Sequence, residues 1–114
     1  MKYFSESEFN KFEMMDEKLL EMLDKLREVY GNPIKLTSTY RSPDHPIEAA
    51  KKQPGEHAYG AAVDIESVGG SKTFRLVKAA MEVGFTRIGV SRKKGFIHLG
   101  IGYPDAPDTT LWTY

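Results

Sequence analysis

Apolar residues recur every three or four positions along residues 16–30, where Leu19, Leu20, Leu23, Leu26 and Tyr30 would share one face of a helix. Asp16 stands where an N-cap is wanted, and Gly31 and Pro33 follow the last apolar position, so this helix has both a start and a stop. Upstream, Ser5 and Glu8 have the spacing of a capping box and predict a short first helix. The methionines at 14, 15 and 22 read as core filler at helical spacing. The period then changes to two. "IKLTSTY", residues 34–40, alternates Ile34, Leu36, Ser38 and Tyr40 against Lys35, Thr37 and Thr39, which predicts a strand with Arg41 at its end. Three prolines and a glycine in "RSPDHPIEAAKKQPG" predict a loop over 41–55, with one helical turn at "IEAAKK". Loops of this length in small domains usually line a site.

The second half repeats the contrast of periods. "GAAVDI" reads as a strand with Gly60, Ala62 and Asp64 on one face and Ala61, Val63 and Ile65 on the other. "SKTFRLVKAAMEVG" predicts a third helix capped by Ser71, with Phe74, Val77 and Met81 along one side and Gly84 as its stop. "TRIGVSRKKGFIHLGI" predicts a β-hairpin that turns at "SRKKG". Helices and strands without regular alternation favour an α+β fold, a small and mainly antiparallel sheet with flanking helices. At 114 residues the chain has room for one domain, with N-terminal helices over 1–31 and the rest of the core over 34–114.

Composition removes several classes of function. Sixteen basic residues balance sixteen acidic ones, so no global charge draws the chain to nucleic acid or to an anionic membrane. The absence of cysteine rules out disulfides and thiolate metal sites, and any transition metal would rest on His, Asp and Glu. The opening "MKYFSESEF" has no apolar signal core, and no apolar run nears the roughly 18 residues of a membrane span. Synthesis in the cytoplasm without a signal peptide is the expectation, and a monomer is expected.

Within this frame "GEHAYGAAVDIES" places His57 seven residues before Asp64 in a setting of small side chains. In "FIHLGI", Ile97, Leu99 and Ile101 share one face, which leaves His98 on the other between Phe96 and Gly100. Each strand thus buries aliphatics on one side and presents one coordinating group beside a small residue on the other. Three nitrogen and oxygen ligands with an open fourth position suit a catalytic zinc. On spacing alone, the histidines also fit hydrogen-bonded structural residues, and Asp64 a turn cap.

"LTSTYRSPDH", "HAYGAAVDI" and "FIHLGI", in that order, resemble the zinc peptidases of the M15 family, the D-alanyl-D-alanine carboxypeptidase and peptidoglycan endopeptidase group, and within it the small phage-type branch. The resemblance runs from about Ile34 to the C-terminus and includes the closing "LWTY". It implies a hedgehog/DD-peptidase-like fold, a zinc ion on His57, Asp64 and His98, and Arg41 as the catalytic arginine that binds a substrate carboxylate or supports an oxyanion. It further implies hydrolysis of peptidoglycan stem peptides, as a carboxypeptidase or an endopeptidase of phage lysis or wall remodelling, at the cell wall after release or as a virion component. The alternative is a non-catalytic zinc-containing module that binds cell wall or serves as a phage structural part.

The resemblance also implies a general base, and the usual places are empty of one. Three positions before His98 stands Gly95; two before and two after stand Phe96 and Gly100. Glu56, Asp105, Asp108 and His45 are the remaining candidates. Trp112 and Tyr114 could close the groove or complete the core, with the core expected for Trp112.

Overall fold

Asp16 starts helix α1 (Glu17–Tyr30) by accepting the backbone N–H groups of Lys18 and Leu19, and Gly31, at φ +80°, ends it with its own N–H on the Arg27 carbonyl. The structure, a computed structural model, describes residues 1–51 and 53–114. Ahead of α1, the predicted first helix is a single 3-10 turn at Glu6–Glu8, where the Glu8 carboxylate reaches back to the Ser5 amide. Of the three methionines, Met15 and Met22 enter the core and Met14 stays exposed.

Five strands follow: β1 (Leu36–Ser38), β2 (Ala62–Glu66), β3 (Arg87–Ser91), β4 (Phe96–Gly100) and β5 (Thr110–Thr113). They form one sheet in the order β1-β2-β4-β3-β5, antiparallel throughout except that β5 runs parallel to β3 at the edge. The fold is α+β, with helix α2 (Pro46–Ala49) in the loop after β1 and helix α3 (Gly70–Val83) linking β2 to β3. Lys52, at the end of the helical turn expected over 47–52, lies outside the described residues. Strand β1 is shorter than the alternation predicted, because the polar groups after Ser38 leave the ladder for other partners. The Thr39 carbonyl accepts from the His57 ring, and the Tyr40 carbonyl accepts the Asn10 side-chain amide.

One face of the sheet is aliphatic: Val63, Ile65, Ile88, Ile97 and Leu99 pack with Leu19, Leu23, Leu26, Leu76 and Ala80 of the helices. Helix α3 turns a different side inward from the one the sequence suggests. Phe74 and Met81 are exposed, whereas Thr73, Leu76, Ala79 and Ala80 are buried. The two alanines let α3 lie close against α1, and the larger side chains go to solvent. Its cap is Gly69 rather than Ser71, and Thr73 returns its hydroxyl to the Gly69 carbonyl.

Gly60 joins the N-terminal segment to the sheet. It has φ +65°, its carbonyl accepts the Asp16 N–H, and a side chain there would collide with the Met14 carbonyl. Gly31 shares the positive φ but has open space around it. Gly31→Ala is therefore expected to cost about 1 kcal/mol, the left-handed penalty alone. Gly60→Ala should cost at least about 2 kcal/mol, because strain and collision add. Urea unfolding of the two variants checks this, and equal losses would refute the close approach.

Candidate metal centre

Strand register brings together two groups that lie 34 positions apart in the chain. Asp64 and His98 are direct partners across β2 and β4, and His98 is in turn opposite Gly89 of β3. Because side chains alternate along each strand, both leave the aliphatic core and project from the other face. His57 arrives from a 3-10 turn, Glu56–Tyr59, immediately before β2. Its Nδ1 lies 2.8 Å from the Thr39 carbonyl, so Nδ1 carries the proton and Nε2 is left bare. All three side chains are buried.

The bare atoms converge. Asp64 Oδ1 lies 3.3 Å from His57 Nε2 and 3.2 Å from His98 Nδ1, and the three potential ligand atoms all fall within 4.8 Å of one another. Ligands about 2.0 Å from a tetrahedral zinc would stand about 3.3 Å apart. Asp64 Oδ1 is buried and has no hydrogen-bond partner, a costly condition that a cation among the three atoms would relieve. The residues therefore fit a metal ion, and the cluster could bind one.

Glu56 decides how His98 presents itself. Its Oε1 is 2.7 Å from His98 Nε2 and 3.1 Å from Arg87 Nε, while Oε2 accepts the Gly102 N–H at 2.7 Å. Both histidines thus hold an acceptor on the nitrogen that faces away from Asp64, the arrangement that orients imidazole ligands in metal sites. Gly100 makes room for this carboxylate, since a side chain at 100 would run into Glu56. Glu56 lies across the imidazole from the cluster, with both oxygens occupied.

The remaining candidates separate. His45 caps α2 by accepting the Ile47 N–H, and Asp105 and Asp108 are exposed on the segment before β5; none of the three lines the cleft above the cluster. Arg41 does line it, 3.4 Å from Asp64 Oδ2 and 3.5 Å from the fully buried Glu48. Glu48 also holds Lys51 at 2.9 Å and the Gly55 N–H at 2.7 Å, so it ties the loop after β1 to the site. Contrary to the expected core position, Trp112 is half-buried on β5, with its ring 5.1 Å from that of His98 and stacked over Gly89, whose missing side chain leaves the space. The cleft measures about 570 Å³. Sequence reasoning missed Glu48 and Arg87. Arg87 was findable, because it shares the period-two face of Gly89 and Ser91; Glu48 carried no local signal.

A family model for peptidase M15 matches residues 4–100. The chain belongs to the peptidase M15 family. Its M15 match starts earlier than the resemblance read from the motifs and ends at Gly100, so β5, with Trp112, lies beyond it. No curated protein matches the chain. In this M15 chain the His-Asp-His cluster, the helices and strands β1 to β4 all fall inside the matched stretch.

The charges follow the geometry. Burial alone would raise the Asp64 carboxyl, but the close approach of the His57 and His98 imidazoles outweighs it and holds the group far below the carboxylate range. Burial would likewise raise Glu56, and contacts with His98, the Gly102 amide and Arg87 bring it below its ordinary 4.5. Burial disfavours the charged form of His98, yet its bonds to Asp64 and Glu56 raise it above its ordinary 6.5. In the metal-free protein the stability that protonated His98 contributes is complete below pH 6.5 and is lost as pH rises through the raised value. The carboxylates act in the opposite sense: their contribution is present above about 4.5 and disappears as pH falls through their lowered values.

A cation would take the place of the His98 Nδ1 proton, so proton and metal compete. Added divalent metal should raise Tm more at pH 8 than at pH 6, while the metal-free Tm falls over the same interval relative to a His98→Asn variant. Calorimetry in both buffers tests this, and a metal shift that grows toward acid pH would contradict the assignment of Nδ1. Glu56→Gln should weaken metal binding about tenfold with the fold intact. Chelator competition alongside circular dichroism measures it, and an unchanged affinity would remove Glu56 from its orienting role.

Proposed function

We propose that the protein is a zinc-dependent metallopeptidase that hydrolyses peptide bonds in peptidoglycan stem peptides, with His57, Asp64 and His98 as its metal ligands. The convergence of His57 Nε2, Asp64 Oδ1 and His98 Nδ1 at the floor of an open cleft, in a member of a peptidase family, carries this reading. When bound there, zinc would supply Lewis-acid chemistry that polarises a peptide carbonyl and a water molecule. Thr39 and Glu56 keep the two imidazoles in the tautomers that face the cluster. Arg41, turned into the cleft and steadied by Asp64 and Glu48, is positioned to pair with a substrate carboxylate or with charge that develops on the cleaved carbonyl. Trp112 and Tyr103 wall the cleft with aromatic surface that excludes water from the bond being cut.

A second reading draws on a specific observation. Asp64 and Glu56 are the carboxylates that line the cleft among the described residues, and both are committed to other groups, so a free general base is absent from the lining. This favours a non-catalytic module that keeps zinc and binds cell wall without cutting it.

Purified protein with its zinc content measured, incubated with cell wall, separates the two. The peptidase reading expects about one zinc per chain and release of peptide fragments. His57→Ala and His98→Ala should lose the metal, and Arg41→Ala should retain it while kcat/KM falls about 10- to 100-fold. Zinc-loaded protein that sediments with wall and releases nothing would establish the second reading, and protein without zinc after zinc-replete purification would defeat both.

A further inference from the structure

The chain is neutral overall, with sixteen charges of each sign, but its cleft is not. Arg41, Lys51, Arg87, Lys93 and Lys94 line it against the two carboxylates of Asp64 and Glu56. Three of the cations are already paired, Arg41 and Lys51 with Glu48 and Arg87 with Glu56. Lys93 and Lys94 are exposed and hold no ion pair among the described residues. The turn that carries them is fastened down: the Gly95 N–H and the Lys94 N–H both bond to Ser91, and the Gly95 carbonyl accepts the Ser67 N–H at 2.7 Å. Their stems thus leave a fixed backbone at one end of the cleft, next to the paired rings of Phe96 and Tyr114, 5.1 Å apart.

We propose that Lys93 and Lys94 form an anion subsite that selects peptides bearing a carboxylate side chain about two residues from the bond to be cut, a proposal that rests on the peptidase reading of the same cleft. The distance comes from the strand. Phe96 lies two residues along β4 from His98, about 7 Å at ~3.4 Å per residue, and an extended peptide advances about as far per residue. The lysines follow just beyond Phe96 on the turn. Phe96 and Tyr114 offer apolar surface to the intervening backbone, and the two ammonium groups meet the acidic side chain past it. The unpaired positive charge also concentrates anionic peptides in a cleft whose own carboxylates are buried.

Trp112 is the chain's single tryptophan and lines the cleft, so its fluorescence reports occupancy without turnover. Zinc-loaded protein is titrated with two short peptides of one sequence, with glutamate or glutamine two residues from a central amide made uncleavable by N-methylation. The glutamate peptide should bind about five- to tenfold more tightly at low salt, with the ratio shrinking at about 0.5 M salt. The double variant Lys93→Gln/Lys94→Gln should abolish the ratio. Lys18→Gln/Lys25→Gln, which removes equal charge from the exposed side of α1, should preserve it. Equal binding of the two peptides by the parent protein, or a preference that survives in the Lys93/Lys94 variant, would overturn the subsite. Tighter binding of inorganic tripolyphosphate than of either peptide would overturn its assignment to peptides. Digestion of cell wall by the same preparation reports on the peptidase reading separately, because the binding ratio is read whether or not the wall is cut.

Discussion

Asp64 and His98 face each other across β2 and β4, both almost wholly buried, and much of the molecule is arranged so that they can. A buried carboxylate is costly unless other groups take up its charge. Here one oxygen of Asp64 meets Arg41 and the other meets two imidazoles. His98 is held in turn between Asp64 and Glu56, and Glu56 between His98, Arg87 and the Gly102 amide. The chain of contacts alternates acid and base from Arg41 to Arg87. Its one unsatisfied oxygen, Asp64 Oδ1, lies where a cation would complete it.

Small residues provide the space for that chain. Gly89 opposite His98 leaves the gap over which Trp112 lies, and Gly100 leaves the volume that the Glu56 carboxylate fills. Gly60 lets the turn that carries His57 pack directly on the N-terminal segment. At Gly89 and Gly100 a missing side chain on one strand is matched by a large or charged one from another element, and at Gly60 by the backbone of Met14. Of the positions where the motif resemblance leads one to expect a base, Gly100 is the one whose empty space is occupied by an acid from elsewhere in the chain.

The site also joins parts of the molecule that lie far apart along the chain. Loop 41–55 contributes Arg41 and Lys51 through buried Glu48, the central strands contribute Asp64 and His98, and the edge strand β5 contributes Trp112. Strand β5 lies beyond the stretch matched to the M15 family, so the aromatic wall that meets His98 stands outside the part of the chain that defines its family.

The amino-acid order by itself determined the elements whose signals are local. Asp16 and Gly31 bound α1 because capping acts over three or four residues. The hairpin of β3 and β4 is legible because its turn is polar and short, and the two-residue period places Asp64 and His98 opposite the aliphatics of their own strands. What only the tertiary structure decided depends on partners far along the chain. Glu56 reaches His98 across 42 positions, and this contact leaves Nδ1 rather than Nε2 facing Asp64. Helix α3 buries its alanines and exposes Phe74 because α1 comes close against it, and Trp112 stays at the cleft because β5 adds to the sheet beside a glycine. Periodicity tells a side chain which face of its own element it occupies; what stands across from that face is settled when distant segments pack, and that is where the chemistry of this site was decided.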